Sequence, residues 1–391
     1  MVKGTDERID KGQRSEDKGQ ETKYMLVSRF LNDLSSENGF KFGTPWRYSD
    51  KALGVIVPIL KIGDAGEREY VTLEEAKDKG VDFKDSGHID KVIIESSLSM
   101  PIFIRSGTVL KSQGTQTRAV ESSVIIVPLK EKMHGKNTQE VSVRCIYASK
   151  GIRTGEKFAY GGDTPIEVRS ALLSRSGQSN TWAAVGGATH RLMASRIGSA
   201  KTGRHSISYT SSHDNLAGVM EEVDKFTGNI DEILKKVPMF EDQVGAVFLD
   251  LKDVVGIELF DHPKSWEAIH KEVEKRLGES IAKEEEKTFF KPDYEQVKPL
   301  ALSFLKKLID SEKIETSKSG DVYTVTLLKG DGIVGEATSI NGKVIHLVGM
   351  KVDKNADREQ SPTRSSDIFR SIGGPRLGSY RSSSGNFRTL F

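Results

Sequence analysis

Pro101–Arg153 reads PIFIRSGTVLKSQGTQTRAVESSVIIVPLKEKMHGKNTQEVSVRCIYASKGIR, a pattern of short apolar runs between polar loops. Two apolar runs, Pro101–Ile104 and Ser123–Pro128, flank a polar loop punctuated by glycine that ends in Gln116 and Arg118. A third run, Glu140–Tyr147, contains the single cysteine, Cys145, and leads into a loop with Lys150 and Arg153. Short β-branched and aromatic runs bounded by turn residues predict strands. Loops at strand ends can hold polar side chains over a rigid sheet, but no complete catalytic or metal-binding motif is present here.

Working outward, Leu53–Leu60 and Lys91–Ile94 extend the strand pattern toward the N-terminus. Tyr70–Lys79 predicts a short helix with Thr72 as N-cap and Glu75 as its capping-box partner. Tyr24–Leu34 places Leu26, Phe30, Leu31 and Leu34 on one helical face. The first 22 residues offer little to bury, which predicts a disordered tail. Together these give a β-rich unit over residues 23–160, a sandwich or a partly closed barrel.

Residues 161–213 are rich in Ser, Gly, Thr and Arg and lack clear periodicity, so an irregular connecting segment is expected there. Residues 214–352 predict an α+β unit. Its helices are Asn215–Val237, capped by Asp214; one from Pro263 with Trp266, Ile269, His270, Val273 and Leu277 on a stripe; and Tyr294–Ile309, in which Pro299 kinks the helix or sets its start. The strands are Val244–Leu251 paired with Val254–Leu259 about Lys252-Asp253, then Val322–Leu328, Gly332–Ser339 and Lys343–Met350. Asn341-Gly342 supplies the type I′ turn of the last hairpin. The fold class is therefore α+β: a β-rich N-terminal unit packed with a C-terminal unit of helices and antiparallel sheet, with a tail at each end.

Bulk composition limits the functional classes. The chain has 391 residues and a formal net charge of +2, which commits it as a whole to no polyanion. One cysteine excludes an internal disulfide framework and a multi-thiolate zinc site. The charged N-terminus has no apolar signal segment and no run spans a bilayer, so a cytoplasmic protein without membrane contact is expected. The histidines form no metal pair, no cofactor fingerprint occurs, and the Gly161-Gly162 and Gly186-Gly187 pairs are weak phosphate cradles; no metal and no cofactor are expected. His270, His346 and Cys145 sit within apolar patterns and read as packed side chains.

Two candidate sites follow. Gln116, Arg118, Arg153, Gln178 and Trp182 form a set in which arginines suit phosphate, amides suit base or ribose edges, and the indole suits an anchoring role. Their expected ligand is a nucleotide or an ADP-ribose-like molecule. The other is the low-complexity segment 353–391, where Arg370, Arg376, Arg381 and Arg388 alternate with aromatics such as Tyr380. Phosphate neutralisation plus base stacking would let that segment contact RNA or a ribonucleoprotein.

Several stretches in order resemble the ARPP-1 family of prokaryotic proteins. Gly107, Leu110, Gln116 and Arg118 match its glycine-led loop, and Val143–Arg153 its cysteine segment. Gln178 and Trp182 match a Gln-x-x-x-Trp element, and Asp214-Asn215-Leu216 the start of a helix. Asp242-Gln243-Val244-Gly245, Gly256–Phe260 and Val344–Leu347 match later elements. Thr108 and Val109 stand where the family loop has two acids. The resemblance implies a link by association with ADP-ribosylglycohydrolases and no established reaction.

Overall fold

The computed structural model describes residues 25–47, 54–112, 116–128, 137–147, 157–199, Leu216, Met220, 237–250, 253–281, 293–319 and 322–352. The first compact unit of the chain ends at Val352. The tails expected over residues 1–22 and 353–391, and most of the helix expected at Asn215–Val237, lie outside the described residues. Leu216 and Met220 of that helix are helical and buried.

The protein is α+β, as the sequence predicts. Helix α1 covers residues 25–35 and buries Val27, Leu31 and Leu34. Strands β1 (Phe40–Phe42), β2 (Trp46–Arg47) and β3 (Gly54–Lys61) follow. These join the strands of the C-terminal third in one sheet: β13 (Gln243–Asp250), β14 (Asp253–Phe260), β15 (Glu312–Ser319), β16 (Tyr323–Gly330), β17 (Ile333–Ile340) and β18 (Lys343–Lys351). The nine-stranded sheet runs β1-β3-β13-β14-β18-β17-β16-β15, with β2 also on β3, and every pair is antiparallel. The expected boundary near residue 160 therefore does not coincide with a boundary between sheets.

Alternation along the strands gives this sheet two apolar faces. On β14, Ile257 and Leu259 enter one cluster while Phe260 enters the other. The first face is covered by α1 and by α6 (Tyr294–Ile309), which buries Val297, Ala301, Phe304, Leu305 and Leu308. Asp293 caps α6 by accepting from the Glu295 N–H at 3.3 Å, and Pro299 lies inside the helix. Leu308 seats on the cross-strand pair Gly335 and Gly349; a Cβ on Gly349 would stand 2.7 Å from a Leu308 methyl. The Asn341-Gly342 turn has φ of 48° and 76°, the left-handed pair that a type I′ turn requires.

The opposite face carries the barrel. Strands β5 (Val81–Asp85), β6 (Lys91–Ser96), β8 (Thr108–Lys111), β9 (Arg118–Val120), β11 (Asn137–Cys145) and β12 (Lys157–Asp163) close in the order β11-β6-β5-β12-β8-β9. Closure comes from β9 pairing with β11 and from β12 pairing with both β5 and β8. Phe83, Val92, Ile94, Leu110, Val120, Val141, Val143 and Phe158 are buried in the core on this side. A barrel this narrow is filled by side chains rather than hollow. A small sheet of β4 (Val71–Thr72), β7 (Ile102–Ile104) and β10 (Val124–Ile126) packs beside it. The helix expected at Tyr70–Lys79 is the single turn α2 (Leu73–Ala76), because Val71 and Thr72 pair with β7 instead. Glu75 still accepts from the Thr72 N–H at 2.9 Å.

The segment expected to be irregular contains two helices, α3 (Ile166–Leu173) and α4 (Gln178–Ser199). Weak helix formers along α4 hide it from a propensity reading, and tertiary packing overrides propensity. Val168 and Leu172 of α3, with Val185 and Ala188 of α4, bury against Val109, Ala119 and Ile146. Helix α5 (Pro263–Ile281) completes the fold and buries Trp266, Ile269 and Val273, as its stripe predicts.

Candidate functional site

The barrel has two ends of different character. At one end, here termed the mouth, the β5–β6 turn, the start of β9 and the end of β11 come together. Arg118 is opposite Cys145 across β9 and β11, and Asp85 is opposite Val92 across β5 and β6. At the other end, the base, Asp163 of β12 is opposite Thr108 of β8 beside the large sheet.

The mouth gathers three of the five side chains singled out from the sequence, Arg118, Gln178 and Trp182. Arg118 lies on β9, which is not adjacent to β5 or β6, yet its guanidinium reaches both. It donates to Asp85 Oδ1 at 3.0 Å, His88 O at 2.9 Å and Lys91 O at 2.6 Å, and stacks 4.9 Å from the Phe158 ring centre. The arginine therefore crosses the lumen and ties the β5–β6 turn to the opposite wall. Its side chain and that of Asp85 are completely buried. Arg118 Nε and Asp85 Oδ2, also buried, have no hydrogen-bond partner among the described residues. An arginine engaged this way forms the floor of the mouth and presents no open donor fork to solvent.

Gln178, the first residue of α4, acts as a surrogate strand. Its amide accepts from the Cys145 N–H at 3.1 Å and donates to the Cys145 carbonyl at 2.7 Å. Those groups lie on the edge of β11 that faces β6. Two residues earlier on the same edge, Val143 N–H donates to Asp90 O. Beyond the start of β6, therefore, Gln178 takes over the ladder, so α4 docks next to the β5–β6 turn. Trp182, one helical turn on, is 40% exposed, and its indole N–H meets the Cys145 thiol. Cys145 itself is buried, and burial raises its thiol pKa, as expected of an inert packed thiol. Gln116 is buried two residues before Arg118. Arg153 lies outside the described residues, as do Arg370, Arg376, Tyr380, Arg381 and Arg388.

The base holds a charged cluster that sequence reading did not assemble. Arg105 donates to Glu74 at 3.0 Å, to Glu258 at 3.3 Å and to Asp163. Arg169 forks onto Glu258 at 2.7 and 2.9 Å, and His346 Nε2 lies 2.9 Å from the same carboxylate. Burial would raise the Glu258 carboxyl, but Arg169 and Arg105 outweigh it and hold the group well below its ordinary value. Burial lowers His346, so a neutral imidazole donates to an ionised Glu258. Burial pushes Asp163 up to about 6 against the pull of Arg105 and Arg169, with Glu272 and Glu74 adding to the rise. The Asp163 N–H donates to Glu272 at 3.0 Å, which ties the cluster to α5. These residues come from α2, α3, α5, β12, β14, β18 and the β7–β8 connection, so the cluster joins every layer on this face.

The signal for this cluster was a charge inside an apolar run. Glu258 in VVGIELF has that form, as does Glu336 in IVGEATSI, which accepts from the Ser123 N–H at 3.0 Å. Among the described residues, no group of His, Cys, Asp and Glu could hold a metal ion, and no helix is long and apolar enough to cross a membrane.

Comparison with known proteins gives one result. Residues 39–350 match the family model ARPP-1, the ARG and Rhodanese-Phosphatase-superfamily-associated Protein domain. No curated protein and no solved structure matches the chain. The match takes in the large sheet from β1 to β18, the barrel and both of its ends. The chain belongs to the ARPP-1 family.

Proposed function

We propose that the barrel mouth binds a small ligand with a planar base and a phosphate, of the nucleotide or ADP-ribose kind. The supporting observation is convergence: Arg118 from one segment and Gln178 and Trp182 from another some 60 residues on meet around Cys145 at one end of one barrel. Trp182 is the face on which the base stacks, since an exposed indole pinned through its N–H is a rigid platform. Arg118 holds the floor beneath it. Arg153 is the cation assigned to the phosphate in this reading, because the Arg118 guanidinium is already engaged by Asp85. The association recorded in the family name is consistent with an ADP-ribose ligand and carries no chemistry of its own.

A thermal-shift series with AMP, ADP, ADP-ribose and ribose 5-phosphate tests the reading. Ligand at 100 times its Kd stabilises by about 2.7 kcal/mol, roughly 4 °C for a folded body of about 300 residues. Trp182→Ala and Arg153→Ala should each remove most of that shift for ADP-ribose. No shift for any of these ligands on the wild-type protein would refute the proposal.

A further inference from the structure

The β5–β6 turn, Ser86–Asp90, projects at the same mouth and carries Ile89, which is 37% exposed. A single exposed isoleucine is ordinary on a protein surface. This one is held unusually firmly. Arg118 grips the His88 and Lys91 carbonyls on either side of it, and Ser86 Oγ donates to the Lys91 carbonyl at 2.8 Å and accepts from the His88 N–H at 3.2 Å. Asp90 O receives the Val143 N–H, which fixes the turn to β11 as well.

The ladder on β11 places this turn beside Trp182. Asp90 and the Gln178 amide are consecutive partners on one strand edge, at Val143 and Cys145. Two residues of strand span roughly 7 Å. Ile89 directly precedes Asp90, and Trp182 lies one helical turn, about 6 Å, beyond Gln178. Two exposed apolar side chains thus stand at the same end of the barrel, on backbone tied to neighbouring positions of one strand edge. At the same turn lie the buried Arg118 Nε and Asp85 Oδ2, neither of which has a hydrogen-bond partner among the described residues.

We infer that Ile89 and Trp182 are the two walls of a slot that takes a heteroaromatic base, with Ile89 as a specificity-determining contact. This inference rests on the mouth being the ligand site. It goes beyond that reading by assigning the β5–β6 turn to the ligand, and by making the ring the recognised part. A branched aliphatic side chain facing an indole admits a flat ring between them and gains nothing from a ribose phosphate alone.

The test is calorimetric titration of the full chain with AMP, ADP-ribose and ribose 5-phosphate, using wild type, Ile89→Ala and Trp182→Ala. Removing three carbons from a half-exposed wall should weaken AMP and ADP-ribose about 5-fold. Ribose 5-phosphate should bind both Ile89→Ala and wild type with the same affinity. If Trp182→Ala weakens the adenine ligands while Ile89→Ala matches wild type, the slot is refuted and the mouth stands as the site. If no adenine ligand binds wild type, the mouth reading fails and this inference fails with it.

Discussion

Glu258 is the residue whose replacement the base cluster constrains most tightly. Its carboxylate meets the Arg169 fork at 2.7 and 2.9 Å, His346 at 2.9 Å and Arg105 at 3.3 Å, and it is essentially excluded from solvent. Glu258→Gln keeps the volume and removes the charge, leaving Arg169 paired with nothing else ionised at hydrogen-bond distance among the described residues. Arg105 keeps Glu74 and Asp163. Breaking one buried charge pair by removing a partner costs about 3–5 kcal/mol. Entropy of unfolding scales at about 2.1 cal/mol/K per residue, so for a body of about 300 residues this loss lowers the Tm by roughly 5–8 °C. Differential scanning calorimetry at neutral pH measures it directly. The pH dependence supplies an internal check. A carboxylate held well below its ordinary value stabilises above its unfolded pKa and loses that contribution as pH falls through the folded pKa. The difference between wild type and Glu258→Gln should therefore shrink in acid. A loss under about 1 kcal/mol at pH 7, or a loss independent of pH between 7 and 3, would refute the account of Glu258 as the centre of the cluster.

Two further predictions concern α5 and the C-terminal segment. Burial pushes Glu274 up to about 8, with only Lys271 pulling the other way, so the folded state keeps its proton where the unfolded chain has lost it. Stability should then fall as pH rises from about 4.5 to about 8; Glu274→Gln should match wild type near pH 4.5 and exceed it by a few kcal/mol above pH 8, and an equal offset at both values would overturn this. Removing residues 353–391 should weaken binding to single-stranded RNA and flatten its salt dependence, since four of the cations assigned to that contact are Arg370, Arg376, Arg381 and Arg388; equal affinity of the full chain and the shortened one in filter binding would exclude the segment as the contact.

What the sequence made legible was whatever rests on local pattern. The Asn341-Gly342 hairpin, the β13–β14 pair and helix α6 were readable because turn chemistry and periodicity are complete within each segment. The barrel was readable only as one of two β-rich alternatives. Its closure depends on β9 finding β11 and β12 finding β8, pairings that no window of sequence contains. β12 is further disguised by Gly161 and Gly162 at a register shift, where Gly162 has a φ of 84°. Helix α4 was missed because its buried face includes small and polar residues such as Thr181, Ala188 and Thr189, and α3 because its 8 residues are too few to set a helical period apart from its Ser- and Arg-rich surroundings. At the mouth, the residue types were legible and the roles were not. An arginine and a glutamine in loop-like sequence suit a ligand equally well as a lumen latch and a strand surrogate. Which of these each becomes is decided by Asp85 and by the free edge of β11, both of them remote in sequence.

The two ends of the barrel handle charge in opposite ways, and that contrast argues for where function sits. At the base, Arg105, Arg169, Glu74, Asp163 and Glu258 neutralise one another across five elements, and His346 is wedged between Phe103 and Phe260 at ring distances of 4.8 and 4.7 Å. A ligand could enter there only by separating layers that the cluster holds together, and buried pairs of this kind lose several kcal/mol when one partner is withdrawn. At the mouth, one charge pair, Arg118 with Asp85, is sunk below the rim, while Trp182 and Ile89 remain open above it. Rigid backbone under exposed apolar side chains lowers the ordering cost of binding without closing the surface. A substitution at Glu258 should therefore change stability and leave ligand preference alone, whereas Trp182 and Ile89 should change ligand preference with little effect on stability. The charge network thus anchors the fold at one end of the barrel, and the exposed apolar side chains stand at the other.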